Sequence, residues 1–363
     1  MPTRPLSIPP LYCPFTCGNR SDAAAIDTRS SDWLLSYGTF PDAAAAGYLR
    51  RMRMGELAAR AMPDAPAERV QVLADFIVWT VFDDPMVDMP ALTGDPIMTV
   101  ALVNKMIRML EAPRAPILPG NPWVESLRDI RLRFGSDASP LQVARFVDAV
   151  RMYGVGALWH TACVRARVMP SLDDYVMMRL PSGGLQMYTT LSDWVEGYEV
   201  SSEEMARPDV RALTEMAWML IAWDNDFLSH YKESVSPGIC INLINVVGKE
   251  RGLQLEEALR RAIALRDRLM LRFIDVFGRV RPSAGDLLGR YLDCLPRWIR
   301  ANIDFTVRSE RYLNPLNCDP TVGLWADLST DIAPSPSDRS PEPLSMPAIS
   351  WWWDDAELGL PPR

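Results

Sequence analysis

The chain of 363 residues is 48% hydrophobic with a formal net charge of −8, long and apolar enough to bury a sizeable core as one large domain or two ordinary ones. The acidic balance argues against a nucleic-acid or anionic-membrane surface, each of which needs an excess of Lys and Arg, whereas a small anionic ligand needs only a local basic pocket or metal ions. No apolar run reaches the roughly 18 residues of a membrane span, and prolines interrupt MPTRPLSIPPLYCPF where a signal peptide would need an apolar helix, so the chain reads as cytoplasmic.

After a Pro-rich segment over 1–20, apolar residues recur at three and four from about Ser21 to Arg311, without sustained period-two alternation. The pattern predicts helices over 22–37, 42–61, 66–84, 96–111, 122–134, 139–166, 184–198, 208–234, 254–278 and 284–309, with short ones near 171–179 and 239–248, and no sheet. Ala67 to Phe82 and Thr214 to Asp224 are apolar on more than one face and belong inside a bundle. With no repeat of 20–50 residues to suggest a solenoid, the expected architecture is one all-α bundle over 21–315. Residues 316–363 are rich in Pro, Ser and Asp and read as a flexible tail. Trp351, Trp352 and Trp353 within it either dock the tail or are a chance cluster, and carry no catalytic role. Cys13, Cys17, Cys163, Cys240, Cys294 and Cys318 are scattered and read as reduced thiols, and with His160 and His230 apart from them they suggest no zinc or haem site.

Two acidic clusters carry the chemistry. In VWTVFDDPMVD, Asp83, Asp84 and Asp88 end an apolar run. On a straight helix Asp83 aligns with Trp79 and Phe76, while Pro85 kinks or ends that helix. Clustered carboxylates often just solvate a helix terminus, but behind so much buried surface their charge calls for a cation or donor. In AWDNDFLSHYKES, Asn225, Ser229 and Glu233 follow one another at four and four, so each is rotated about 40° from the last and one helical face offers three oxygen ligands to a hard cation. Asp226 is either a supporting partner or a solvated charge, and Lys232 either a phosphate contact or a surface lysine. The two clusters stand about 140 residues apart, a pairing that suggests a Mg²⁺ site built for a diphosphate.

NDFLSHYKE resembles the metal-binding motif of class I terpene synthases, and DDPMVD resembles their aspartate-rich motif, in the family's order. Arg179 lies 46 residues before Asn225, about where microbial members keep an arginine that senses diphosphate, and RLPSGG supplies Ser182 and Gly183 as linker and effector. PRWIRANIDFTVRSERY resembles the closing helix, whose Arg-Tyr pair falls on Arg311 and Tyr312, and SIPPLYCPF resembles the Pro-rich start of bacterial members. The resemblance spans about residues 7–315. Pro85 interrupts the aspartate-rich motif and sets Asp84 and Asp88 behind Asp83 as ligands, and Phe305 stands where many relatives carry Trp.

The resemblance implies an isoprenoid-synthase helical bundle with its active-site cavity inside. It further implies three Mg²⁺ ions, with Mn²⁺ as a substitute, held by Asp83 and by Asn225, Ser229 and Glu233, while Arg179, Lys232, Arg311 and Tyr312 bind the diphosphate. Ionisation of a prenyl diphosphate then gives a carbocation that cyclises to a terpene hydrocarbon or alcohol. Farnesyl diphosphate is favoured and geranylgeranyl diphosphate is close behind, because Phe305 leaves a roomier floor. Aromatic faces shield such a cation. Phe76 and Trp79 share the face of Asp83, Trp218 that of Asn225, and Phe305 that of Tyr312, so each is expected to line the pocket; plain core packing is the alternative. Ser182 and Gly183 are expected to break a helix. A homodimer is implied by the resemblance alone. Competing readings are a prenyl-chain elongating transferase, which would show two aspartate-rich motifs, and a non-catalytic isoprenoid-binding helical protein.

Overall fold

The computed structural model describes residues 5–83, 95–236, 238–315 and 325–361, without the side chains of residues 82 and 83. The helices in chain order are α1 (Ala23–Ser36), α2 (Ala43–Met52), α3 (Gly55–Ala61), α4 (Ala67–Trp79), α5 (Pro96–Glu111), α6 (Pro122–Phe134), α7 (Pro140–Ala166), α8 (Leu172–Ser182) and α9 (Leu185–Thr189). They continue with α10 (Ser192–Val195), α11 (Ser202–Met205), α12 (Pro208–Leu228), α13 (His230–Val235), α14 (Leu243–Arg251), α15 (Leu255–Val280), α16 (Asp286–Thr306), α17 (Glu310–Leu313) and α18 (Pro347–Ser350).

Local chemistry explains where these helices begin. Asn121, Ser139 and Ser171 each accept a backbone N–H of the first turn, and Ser139 forms a reciprocal capping box with Gln142. Several expected helices are divided. The segment 42–61 breaks at Arg53, which adopts φ 56°, and α3 then packs tightly on α1. A Cβ at Gly55 would lie 2.7 Å from the Asp27 Cα, so that approach requires glycine. The segment 66–84 ends its α-helix at Trp79 and continues as a 3₁₀ turn over Thr80–Asp83. The segment 184–198 becomes α9 and α10.

The core sits where α4 and α12 are enclosed. Residues 72–79 of α4 are all buried, and α12 packs on α15 and α16 with α8, α9 and α14 covering its other sides. This confirms the all-α bundle and explains why both segments read as apolar on more than one face.

The tail departs from expectation. Among the described residues, four two-residue strands form parallel pairs: β1 (Ser7–Ile8) with β3 (Asp327–Leu328), and β2 (Leu11–Tyr12) with β4 (Ile332–Ala333). Strands this short leave no period-two signature. Further on, Trp352 is fully buried, its Nε1 donating to Glu215 Oε2 at 3.2 Å while Arg272 Nε donates to its carbonyl at 2.7 Å. Asp355 pairs with Arg272 and Arg279 at 2.7 and 2.8 Å. Over 325–361 the expected flexible tail is therefore packed on the body, because one indole and one carboxylate find ready-made partners there.

Trp352→Ala is expected to destabilise the protein by about 3–5 kcal/mol, the range for emptying a buried aromatic site. Denaturant unfolding checks this, and an unchanged midpoint would mean the tail is not docked.

Candidate active site

The segment expected as one helix over 208–234 bends at Ser229 (φ −95°, ψ 0°), the residue between α12 and α13. The four-residue spacing survives the bend, since Ser229 N donates to the Asn225 carbonyl at 2.7 Å and Glu233 N to the Ser229 carbonyl at 3.0 Å. Asn225, Ser229 and Glu233 thus stay on one side of the joint. Ser229 Oγ is 2.6 Å from Glu233 Oε1 and also 2.6 Å from the Asn225 carbonyl. One hydroxyl proton serves only one of these acceptors, which leaves oxygen lone pairs for a cation.

Each member of the triad is held from outside. Glu233 Oε2 accepts from Asn242 Nδ2 at 2.9 Å, with Cys240 Sγ at 3.5 Å. Burial, followed by the Glu233 charge, pushes the Cys240 thiol up, so it stays protonated. Asn225 Oδ1 accepts from Arg179 at 3.2 Å, and its Nδ2 faces the Tyr312 hydroxyl at 3.4 Å. Arg311 Nη1 donates to the same hydroxyl at 3.0 Å. Lys232 is half-buried on α13 beside Glu233.

Asp226 is not a solvated charge. It is buried, forms a 2.6 Å ion pair with Arg179, and accepts from the Tyr175 hydroxyl and from Leu243 N at 2.7 Å. Burial pushes its carboxyl up to about 6 against the pull of the Arg179 guanidinium. Burial opposes the Arg179 charge, but Asp226 outweighs it and raises that pKa. Asp226 and Tyr175 are the supporting residues that sequence reasoning did not assign. The adjacency of Asp226 to Asn225 was the available signal for one; nothing local marked the other.

The segment between α8 and α9 breaks as expected. Pro181 lies in the last turn of α8, and Gly184 has φ 76°. A Cβ on Gly183 would meet that of Ala222 at 3.1 Å, and one on Gly156 would lie 2.5 Å from Ser182 N, so glycines let α7 and α12 close on the break. Ser182 Oγ is buried there with no hydrogen-bond partner.

The four aromatic candidates fall into separate groups: Phe76 and Trp79 in one ring cluster, Phe305 against Tyr312, and Trp218 on α12. Phe76 stacks on Trp79 at 5.9 Å and presents edges to Phe146 and Tyr188 at 5.1 and 5.8 Å. Tyr188 stacks on Trp298 at 6.1 Å, and Phe305 meets Tyr312 edge-on at 6.1 Å. Trp218 Nε1 donates to Thr189 Oγ1 at 2.7 Å. Phe146, Tyr188 and Trp298 were missed, although Trp298 stands seven before Phe305 as Phe305 stands seven before Tyr312. Asp84 and Asp88 lie outside the described residues, as does the side chain of Asp83.

An all-α bundle whose α12 ends in a polar Arg/Asn/Ser/Glu/Tyr cluster, with the ring of Phe305 against that tyrosine, defines a class of enzyme that comparison identifies. The model for terpene synthase family 2, C-terminal metal binding, matches residues 75–272. Bonnadiene synthase from Allokutzneria albata is 48% identical over 357 residues, covering 97% of this chain and 98% of that protein. A (+)-T-muurolol synthase from Streptomyces clavuligerus is 37% identical, covering 94% and 81%. Among solved structures, the SVS_A2 protein from ancestral sequence reconstruction superposes with a TM-score of 0.83 at 34% identity, covering 97% of this chain and 100% of that one. The chain belongs to the terpene synthase family and is an enzyme, a carbon–oxygen lyase acting on phosphates. Among the described residues no helix is long and apolar enough to cross a membrane.

Asp226→Ala is expected to cost about 3–5 kcal/mol, because it leaves the Arg179 charge buried without its partner. Urea unfolding reads this directly; a loss below about 1 kcal/mol would show that the pair does not hold α8 to α12.

Proposed function

We propose that the protein ionises a linear prenyl diphosphate and cyclises the resulting carbocation, with farnesyl diphosphate as substrate. The observation that carries this reading is the convergence of Asn225, Ser229 and Glu233 with Arg179, Arg311 and Tyr312, against whose ring Phe305 packs. The donors on the cation side are all oxygen, which suits Mg²⁺. Asn225, Ser229 and Glu233 on one side and Asp83 from the other cluster would between them hold the ions, of which three are expected by the resemblance. When bound, Mg²⁺ supplies positive charge that stabilises the leaving pyrophosphate.

The chain's own residues supply the rest. Arg179, Lys232, Arg311 and Tyr312 donate hydrogen bonds to the diphosphate, and these strengthen as negative charge gathers on the leaving group. Allylic C–O cleavage needs no protein nucleophile. The faces of Phe76, Trp79, Trp218 and Phe305 shield the cation from water and attract it without covalent capture, and the break at Ser182 and Gly183 frees carbonyls near the diphosphate end.

Relatives support the substrate class. The (+)-T-muurolol synthase is named as cyclising (2E,6E)-farnesyl diphosphate. The structure of 2-methylisoborneol synthase from Streptomyces coelicolor A3(2), similar in fold with a TM-score of 0.75 at 19% identity, contains Mg²⁺ and 2-fluoroneryl diphosphate. A second reading, a C20 substrate, is favoured by Phe305, which is smaller than the Trp of many relatives.

Incubation with C10, C15 and C20 prenyl diphosphates, with and without Mg²⁺, followed by gas chromatography–mass spectrometry, tests the proposal. A cyclic product that requires Mg²⁺ is expected from the C15 or C20 substrate, and folded protein that releases no pyrophosphate from any of them would overturn the reading. Asn225→Ala or Glu233→Ala is expected to lower turnover at least about a hundredfold with the fold intact; near-normal product from either removes the metal assignment. Phe305→Trp is expected to shift product ratios more than rate, and an unchanged profile takes Phe305 out of the pocket lining.

A further inference from the structure

The break between α8 and α9 is tied to the end of α4 by one hydrogen bond between side chains 108 residues apart. Thr80 Oγ1 and the Tyr188 hydroxyl lie 2.7 Å from each other. Thr80 Oγ1 also lies 2.7 Å from the Ile77 carbonyl, to which it donates. A hydroxyl has one proton, so once Thr80 has given its own to Ile77 it must accept the proton of Tyr188. The direction of the bond follows from counting protons.

Both ends of this bond are strategically placed. Thr80 closes α4 and opens the 3₁₀ turn that runs to Asp83. Tyr188 lies one helical turn beyond Gly184, whose positive φ makes the break. The Tyr188 ring is fixed independently, by stacking on Trp298 and by its edge contact with Phe76. The next residue, Thr189, accepts from Trp218 of α12, so α9 is anchored on two sides: to α4 through a phenol and to α12 through an indole.

We propose that Tyr188 is a positioning residue for ionisation, its hydroxyl holding the effector break in register with Thr80 at the end of α4, three residues before Asp83 in sequence. The inference rests on the functional reading above. It separates two roles within one side chain: the ring belongs to the aromatic wall and bears on product shape, while the hydroxyl bears on assembly of the diphosphate end. A tyrosine kept merely for packing would lose nothing as phenylalanine.

Three variants test this on the full chain. Tyr188→Phe keeps the ring and loses the hydroxyl. It is expected to stay folded with a melting point only slightly below the wild type's without ligand, to gain less thermal stability from Mg²⁺ plus inorganic pyrophosphate, and to need roughly three- to tenfold more Mg²⁺ for half-maximal turnover, as loss of one hydrogen bond implies, with product ratios unchanged. Thr80→Val removes this bond together with the one to the Ile77 carbonyl, so it is expected to do at least as much, and the double variant no more than Thr80→Val alone, because no bond to Tyr188 is then left to lose. Wild-type stabilisation and Mg²⁺ dependence in Tyr188→Phe, or losses that add in the double variant, would overturn the proposal. Stabilisation by Mg²⁺ and pyrophosphate is read without turnover, so a wild type inactive on every prenyl diphosphate would sink the functional reading while leaving this comparison decisive.

Discussion

Two buried carboxylates flanking Asn225 set the geometry on which the rest of the protein depends. Asp224 meets Arg266 of α15 through two hydrogen bonds of 2.7 and 3.0 Å, both side chains fully buried, and Asp226 meets Arg179 of α8 at 2.6 Å. Two residues apart on a helix are about 200° apart around its axis, so the clamps pull α12 in nearly opposite directions. Burying such charges is expensive, and the expense is offset only by good geometry and complete hydrogen bonding. Arg266 shows that completeness: it also donates to the Tyr12 carbonyl and to Asp267.

From that pair the constraint spreads to both ends of the chain. Tyr12 belongs to β2, which pairs with β4 of the tail, and Asp267 accepts from the Ser337 N–H and hydroxyl at 2.7 and 2.8 Å. The N-terminal segment and the tail therefore close over the same buried guanidinium that orients α12. Their packing is not decoration at the periphery; they cover an ion pair whose neighbour in sequence is the first residue of the triad. Asn225 itself is left free to turn toward Arg179 and Tyr312, while the bend at Ser229 brings Glu233 within reach.

What could be read from sequence follows the range of the interactions. Helical period located every long helix, and the spacing of Asn225, Ser229 and Glu233 foretold a set that the structure brings together, because both depend on residues within a turn or two of each other. The resemblance added Arg179, Arg311 and Tyr312, which the structure places beside Asn225. Errors came where partners are distant or a break is conformational. Arg53 carries no glycine or proline signal for its left-handed turn. The bend at Ser229 preserves the hydrogen-bonded spacing and so is invisible to periodicity. Trp352 has its partners in Glu215 and Arg272, more than 70 residues away, so composition alone described a loose tail. Asp226 was ambiguous for the same reason, since a carboxylate on a helix looks solvated until Arg179 and Tyr175 are seen around it.

The site divides labour along the axis of the bundle, and the two halves are built from different physics. At the polar end, position is imposed by charge and directional hydrogen bonds from α8, α12, α14 and the residues after α16, so small displacements there are resisted strongly. Along the wall, Trp79, Phe76, Tyr188 and Trp298 meet in turn through ring contacts at centroid distances of 5.8–6.1 Å, and Phe305 meets Tyr312 at 6.1 Å. Such contacts are weakly directional and tolerate volume-conserving exchange. A family that keeps one ionisation chemistry while varying its products needs this arrangement. The wall can drift by single substitutions without disturbing the clamps, because its stability is distributed over many apolar contacts. Directional bonds to buried charges permit no such drift, and the most deeply buried ionic pairs in this helix stand immediately on either side of Asn225.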